Sequence, residues 1–69
     1  MIMPRIIRPF VGHGITVKSG DAEYRATIVS EAQAVTLRRV DDGSTERLRY
    51  REIASFRRDR KGGATLTVR

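Results

Sequence analysis

Arginine carries most of the chemistry this chain has to offer. Arg38, Arg47, Arg49 and Arg51 recur at alternate positions through the stretch from Val35 to Arg51, VTLRRVDDGSTERLRYR. A guanidinium stays charged when partly desolvated, and its planar fork meets phosphate or carboxylate oxygens with two parallel N–H donors. Lys18 and Arg25 extend the row from neighbouring strands, so the candidate anion-binding residues are Lys18, Arg25, Arg38, Arg47, Arg49 and Arg51. Arg38 is expected directly opposite Arg47, a like-charge cross-strand pair that destabilises a sheet unless an anion relieves it. The competing expectation is that the side chains splay into water and that Glu23, Glu31 or Glu52 neutralises them locally.

Other chemistries find little material. The chain has no cysteine and one histidine, His13, set between Gly12 and Gly14 with no second base or ligand at a useful spacing. A catalytic triad or a thiolate metal site is therefore not expected, and no catalytic, cofactor-binding or metal set is assigned. Asp41-Asp42 precedes Gly43 at a turn, where aspartate is wanted for its local hydrogen bonding. Gly62-Gly63 lacks the residues of a phosphate-binding loop and reads as a second turn.

The elements that position the arginines follow from alternation. Asp42-Gly43 between two alternating runs is a strong hairpin signal. As a two-residue type I′ loop it sets Leu37 opposite Leu48, Val35 opposite Tyr50 and Arg39 opposite Glu46, the last as an ion pair. One face then holds Val35, Leu37, Leu48 and Tyr50, and the other Thr36, Arg38, Arg47, Arg49 and Arg51. Upstream, Ile15–Ser19 alternates with Ile15 and Val17 inward. Glu23–Val29 follows with Tyr24, Ala26 and Ile28 inward. Arg51-Glu52-Ile53 reads as one 3₁₀ turn, Ala54–Arg58 as a strand with Phe56 inward, and Ala64–Arg69 as a last strand with Leu66 and Val68 inward. The cluster Arg57-Arg58-Asp59-Arg60-Lys61 is read as keeping an edge soluble. Residues 1–13 carry Pro4 and Pro9, too close together for a stable helix between them. They are expected to form an extended apolar arm or edge strand ahead of a single β-domain over residues 14–69.

Length and composition bound the rest. A chain of 69 residues is near the size at which only about 60% of the unfolded surface is buried. Short strands at this spacing favour a small all-β barrel of five to six strands. Fourteen basic residues against eight acidic ones give a formal charge of +6, which attracts polyanions. No apolar run approaches the ~20 residues of a membrane span, and charge and proline interrupt the first residues where a signal peptide would be apolar. Absence of cysteine fits a reducing cytoplasm.

The order strand, turn, strand, strand, hairpin, strand, one-turn helix, strand resembles that of SH3-like and Sm-like barrels, over roughly Ile15 to Phe56. Gly20, Tyr24, Ala26, Ile28 and Leu37 fall at places similar to the first Sm motif, with one extra residue between Gly20 and Tyr24. Leu48-Arg49-Tyr50-Arg51-Glu52-Ile53 is similar to the second motif of the LSm proteins. Tyr50-Arg51-Glu52-Ile53-Ala54-Ser55 is similar to the corresponding segment of bacterial Hfq, without its histidine. Ala32, Thr36 and Tyr50-Arg51 stand where the family carries Asp, Asn and Gly-Asn, and a strand, Ala64–Val68, is added. The resemblance implies an RNA-binding barrel, RNA ahead of DNA. Contacts to the phosphate backbone with little base readout are expected instead from the residues themselves, because Phe10, Tyr24, Tyr50 and Phe56 are committed to the core and Thr36 and Tyr50-Arg51 replace the family's pocket residues.

The expectation is thus a small SH3/Sm-like barrel that binds nucleic acid through an arginine-rich sheet face. It includes possible homo-oligomerisation through the N-terminal arm or an edge strand, no membrane partner and a cytoplasmic location. The alternative is a protein-interaction or self-assembly module, SH3-like and of the kind used as phage or plasmid accessory proteins, with no nucleic-acid role.

Overall fold

The computed structural model describes residues 3–69, with side chains from Arg5 onward; Met1 and Ile2, part of the expected arm, lie outside the described residues. The chain runs α1 (Met3–Ile7), a 3₁₀ turn (Arg8–Phe10), β1 (Gly14–Ser19), β2 (Ala22–Ser30), β3 (Val35–Arg39), β4 (Thr45–Leu48), a second 3₁₀ turn (Tyr50–Glu52), β5 (Ile53–Arg58) and β6 (Ala64–Val68). The strands form one curled six-stranded sheet in the order β4-β3-β2-β1-β6-β5. All neighbours are antiparallel except β1 and β6. This is the small all-β barrel expected, with β4 and β5 at its two edges joined by the second 3₁₀ turn.

Alternation builds the core. Ile15 and Val17, Ala26 and Ile28, Val35 and Leu37, Leu48, Ile53, Phe56, Ala64 and Leu66 are buried on the concave side. Two bulges keep that alternation on its face. Val29 is the extra residue between Ile28↔Leu37 and Ser30↔Thr36, and Ala54 is the extra residue between Ile53↔Val68 and Ser55↔Thr67. Ile53 and Phe56, an odd number of residues apart, both point inward for this reason.

The N-terminal segment is helical, contrary to the extended arm expected of it. Its two prolines sit where helices tolerate them, Pro4 early in α1 and Pro9 in the first turn of the 3₁₀ segment, positions whose N–H has no intrahelical acceptor. Tertiary burial decides the matter: Ile7 is fully buried and Phe10 nearly so, its ring edge-on to Phe56 at 5.4 Å. Ile6, Ile7 and Phe10 therefore pack on their own barrel, while Val11 stays exposed. Gly12, at φ 88°, then turns the chain into β1, its N–H donating to the Ile28 carbonyl at 2.7 Å.

The central hairpin forms with a register two residues away from the one its turn implied. Val35 faces Leu48, Thr36 faces Arg47, Leu37 faces Glu46 and Arg38 faces Thr45. The loop has four residues, Val40 to Gly43, closed by Arg39 N–H to the Ser44 carbonyl and Gly43 N–H to the Arg39 carbonyl. A type I′ turn demands positive φ at both central residues. Here only Gly43 has it, at 73°, while the Asp42 carboxylate accepts the Ser44 N–H at 2.8 Å. Ser44, through its side chain first and its backbone N–H second, holds the Asp42 carboxyl below the usual carboxylate range. A slip by two preserves every residue's face, so the core row survives the change.

The expected pairings do not survive it, and Leu37 faces Glu46 in place of Leu48. Arg38 is diagonal to Arg47 rather than opposite it. Tyr50 leaves the sheet for the 3₁₀ turn, which spans Tyr50–Glu52 and not 51–53. The Arg39–Glu46 ion pair is replaced by an intermediary: Arg39 stacks 3.9 Å above the Tyr24 ring, and the Tyr24 hydroxyl donates to Glu46 Oε2 at 2.9 Å.

Candidate functional site: an arginine groove and a diagonal of cations

Leu48 is the last residue of β4, and the chain there bends into the second 3₁₀ turn. The bend is held by a reciprocal pair of hydrogen bonds, Glu52 N–H to the Arg49 carbonyl at 2.9 Å and Arg49 N–H to Glu52 Oε1 at 3.2 Å. Arg47, Arg49 and Arg51 are thereby gathered on one groove of about 640 Å³, completed by Gln33, Ala34, Tyr50 and Glu52. Arg49 and Arg51 reach it from the strand-to-turn junction, not from the sheet row that alternation implied.

The opposite wall is the β2–β3 connection. Gln33 is the one described non-glycine residue at positive φ, 64°, and Ala34 N–H donates across it to the Ala32 carbonyl at 2.7 Å. This is a γ-turn of the strained hand. Tyr50 ties the two walls together, its hydroxyl facing the Glu31 carbonyl and Glu31 Oε2. Burial and the neighbouring Glu31 carboxylate push the Tyr50 phenol up to about 12. Glu31 is also gripped by Arg8 Nε at 3.2 Å, so the N-terminal 3₁₀ segment braces the groove from behind.

The remaining expected residues lie on the outer face of the sheet. Arg38 faces Thr27 across β2–β3, Arg25 faces Thr16 across β1–β2, and Lys18 faces Glu23. Each of these cations is displaced two residues along from its neighbour on the next strand. Arg47, Arg38, Arg25 and Lys18 thus form a diagonal, one cation per strand across β4, β3, β2 and β1. Such diagonal neighbours are roughly 7–8 Å apart. Thr16, Thr27, Thr36 and Thr45 occupy the outer positions between them. Arg25 lies flat on the sheet: its Nη1 donates to Thr16 Oγ1 at 2.9 Å, and its Nη2 passes over Gly14, where a Cβ would come within 3.3 Å.

The carboxylates expected to neutralise the arginines are spent elsewhere. Glu31 serves Arg8 and Tyr50, Glu52 caps the 3₁₀ turn, and Glu23 approaches Lys18 at 3.9 Å. Among the described residues the ion pairs are Arg8–Glu31 and Lys18–Glu23, so none involves Arg38, Arg47, Arg49 or Arg51.

Two features escaped the sequence reading. Gln33 gave no signal, because a left-handed glutamine is dictated by loop closure and not by residue type. Arg57 and Arg58 were visible as a charge cluster, but only the sheet order brings them beside Lys18. With Ser55, Asp59, Thr65 and Thr67 they line a second depression of about 400 Å³ at the β5–β6 end of the same face. No helix among the described residues is long and apolar enough to cross a membrane. No family model, curated protein or solved structure matches this chain.

Proposed function

We propose that this chain binds nucleic acid through the phosphate backbone, with Arg47, Arg49 and Arg51 as the anchor and Arg38, Arg25 and Lys18 continuing across the sheet. The observation that carries this reading is the groove itself. Arg47, Arg49 and Arg51 line one depression, and among the described residues none of them forms an ion pair. Concentrating like charge in this way is unfavourable without a counter-anion, and phosphate oxygens suit the fork geometry. Base readout is expected to be weak. Phe10 and Phe56 are buried, and Tyr24 and Tyr50 are half-buried with their hydroxyls engaged, which leaves no free ring among them on which a base would stack. RNA stands ahead of DNA through the resemblance to Sm-like proteins, so both are tested.

The experiment is a salt titration of binding to mixed-sequence single-stranded RNA and DNA. Log affinity against log salt should fall with a slope near −0.7 per phosphate contact. Replacing Arg47 and Arg49 together by Gln should flatten that slope by about 1.4, as two contacts are lost. Equal affinity of the variant and the unaltered protein at matched salt would remove this reading. It would then favour a protein-interaction module using the free edges of β4 and β5.

A further inference from the structure

We infer that the depression lined by Lys18, Arg57 and Arg58 is the far end of one continuous track, along which a single-stranded nucleic acid crosses the sheet diagonally from the Arg47–Arg49–Arg51 groove. The inference rests on the nucleic-acid reading above and adds Arg57 and Arg58, the direction of the bound strand and its single-stranded character.

The registers define the path. On the outer face, Arg47 lies level with Thr36, Arg38 is two residues farther along β3, Arg25 lies two beyond the partner of Arg38, and Lys18 two beyond the partner of Arg25. Three diagonal steps of 7–8 Å carry the row roughly 22 Å from β4 to β1. Lys18 then faces Thr67 of β6, and Thr67 faces Ser55 of β5. One row back, Thr16 faces Thr65, which faces Arg57. The track thus passes from cations to a strip of hydroxyls on β6 and ends on cations again at β5. The first groove meets this path at Arg47 on the β4 edge, and the second lies on it through Lys18, Thr67, Ser55, Thr65 and Arg57 towards the β5 edge.

The charges near the far end point the same way. Asp59, the carboxylate lining that depression, is turned into its own loop. Its Oδ1 accepts the N–H groups of Lys61 and Gly63 at 2.8 Å each, so it closes the β5–β6 turn and forms no ion pair with Arg57 or Arg58. Among the described residues Glu23 is the one carboxylate on the outer sheet positions themselves, and its ion pair there is with Lys18.

Curvature selects the ligand. The sheet is curled into a molecule of 31 × 26 × 23 Å, and the track runs over its convex side. A duplex, with a persistence length of about 150 base pairs, meets such a surface tangentially and reaches both ends only at a bending cost. A single strand follows the curve freely, and a basic path with sequence-tolerant contacts is how such strands are held.

The test compares oligouridylates of about four and about twelve nucleotides, within the range of known single-strand site sizes, using the unaltered protein and Arg57→Gln/Arg58→Gln. Both replaced side chains are exposed, and circular dichroism and a thermal melt confirm that the variant is folded. The longer oligonucleotide should show the steeper salt slope. The variant should flatten that slope by about 1.4 while leaving binding of the short one unchanged. Arg47→Gln/Arg49→Gln should weaken both lengths. Loss of affinity for both lengths in the Arg57/Arg58 variant, or for neither, would overturn the continuous track. A duplex of matched length binding as tightly, with the same slope, would overturn its single-stranded character. Binding of neither length by the unaltered protein would instead overturn the nucleic-acid reading beneath it.

Discussion

Tyr50 shows how one residue's role depends on what its polar end finds. Alternation marks it as a core side chain, and its ring does pack against the core. Its hydroxyl, however, spans to Glu31 and so links the 3₁₀ turn that carries Arg49 and Arg51 to the β2–β3 connection. The linkage has a sign. The phenol ionises near 10 in the unfolded chain and at about 12 in the fold. The stabilisation it supplies is whole below pH 10 and is lost as pH rises towards 12, where the unfolded state releases its proton first. Denaturant midpoints measured from pH 8 to 11.5 should therefore fall for the unaltered protein. They should fall less for Tyr50→Phe, which lacks the titrating group. Removal of the hydroxyl should also cost about 0.5–1.5 kcal/mol at neutral pH. Parallel curves for the two proteins would show that burial and Glu31 do not raise the phenol's pKa in the fold.

Among elements, the N-terminal segment and the central hairpin each depart from what local signals indicate. α1 has five residues, too few to be stable alone, so its helicity is a consequence of docking. Ile7 is the residue through which that docking acts, being wholly buried within the barrel core. Ile7→Ala should cost on the order of 2–5 kcal/mol, a large part of the roughly 5–15 kcal/mol typical of a whole domain. A thermal melt unchanged by this substitution would place the segment outside the cooperative core. The hairpin departs for a different reason. Gly43 takes the positive φ that its type allows, but Asp42 instead uses its carboxylate to receive the Ser44 N–H. The four-residue loop that results moves Leu48 from Leu37 to Val35 without turning any side chain over.

At the scale of the whole molecule, net charge and sheet topology dominate. A formal charge of +6 on 69 residues is a self-repulsion spread over the surface. The ion pairs among the described residues, Arg8–Glu31 and Lys18–Glu23, offset little of it. Raising sodium chloride from about 0.01 M to 0.15 M shortens the screening length from about 30 to 8 Å. The melting temperature should accordingly rise with salt even as affinity for nucleic acid falls. A melting temperature that drops with salt would show that the surface pairs outweigh the repulsion. Topology contributes the parallel pairing of β1 with β6, which inserts β6 between β1 and β5. That insertion sets Lys18, Arg57 and Arg58 around a common depression.

By itself the sequence determined the strands and the inward row from Ile15 to Leu66, because alternation with period two is a local property that burial of one face enforces. It also determined that arginine would line the outer face, since Arg25, Arg38, Arg47 and Arg57 have the parity opposite to the core within their strands. Alternation is blind to a slip of two residues. The hairpin register, and with it the change from an opposed Arg38–Arg47 pair to a diagonal of cations, was left to the loop's hydrogen bonds and to β2, whose Arg25 carbonyl takes the Val40 N–H. Helicity of residues 3–10 was decided by the pocket waiting for Ile7 and Phe10. The convergence of Arg47, Arg49 and Arg51 required the bend after Leu48, and the meeting of Lys18 with Arg57 required the parallel insertion of β6. Such contacts join residues far apart in the chain, and it is long-range burial and pairing, not local preference, that chooses among the registers and strand orders a short pattern permits.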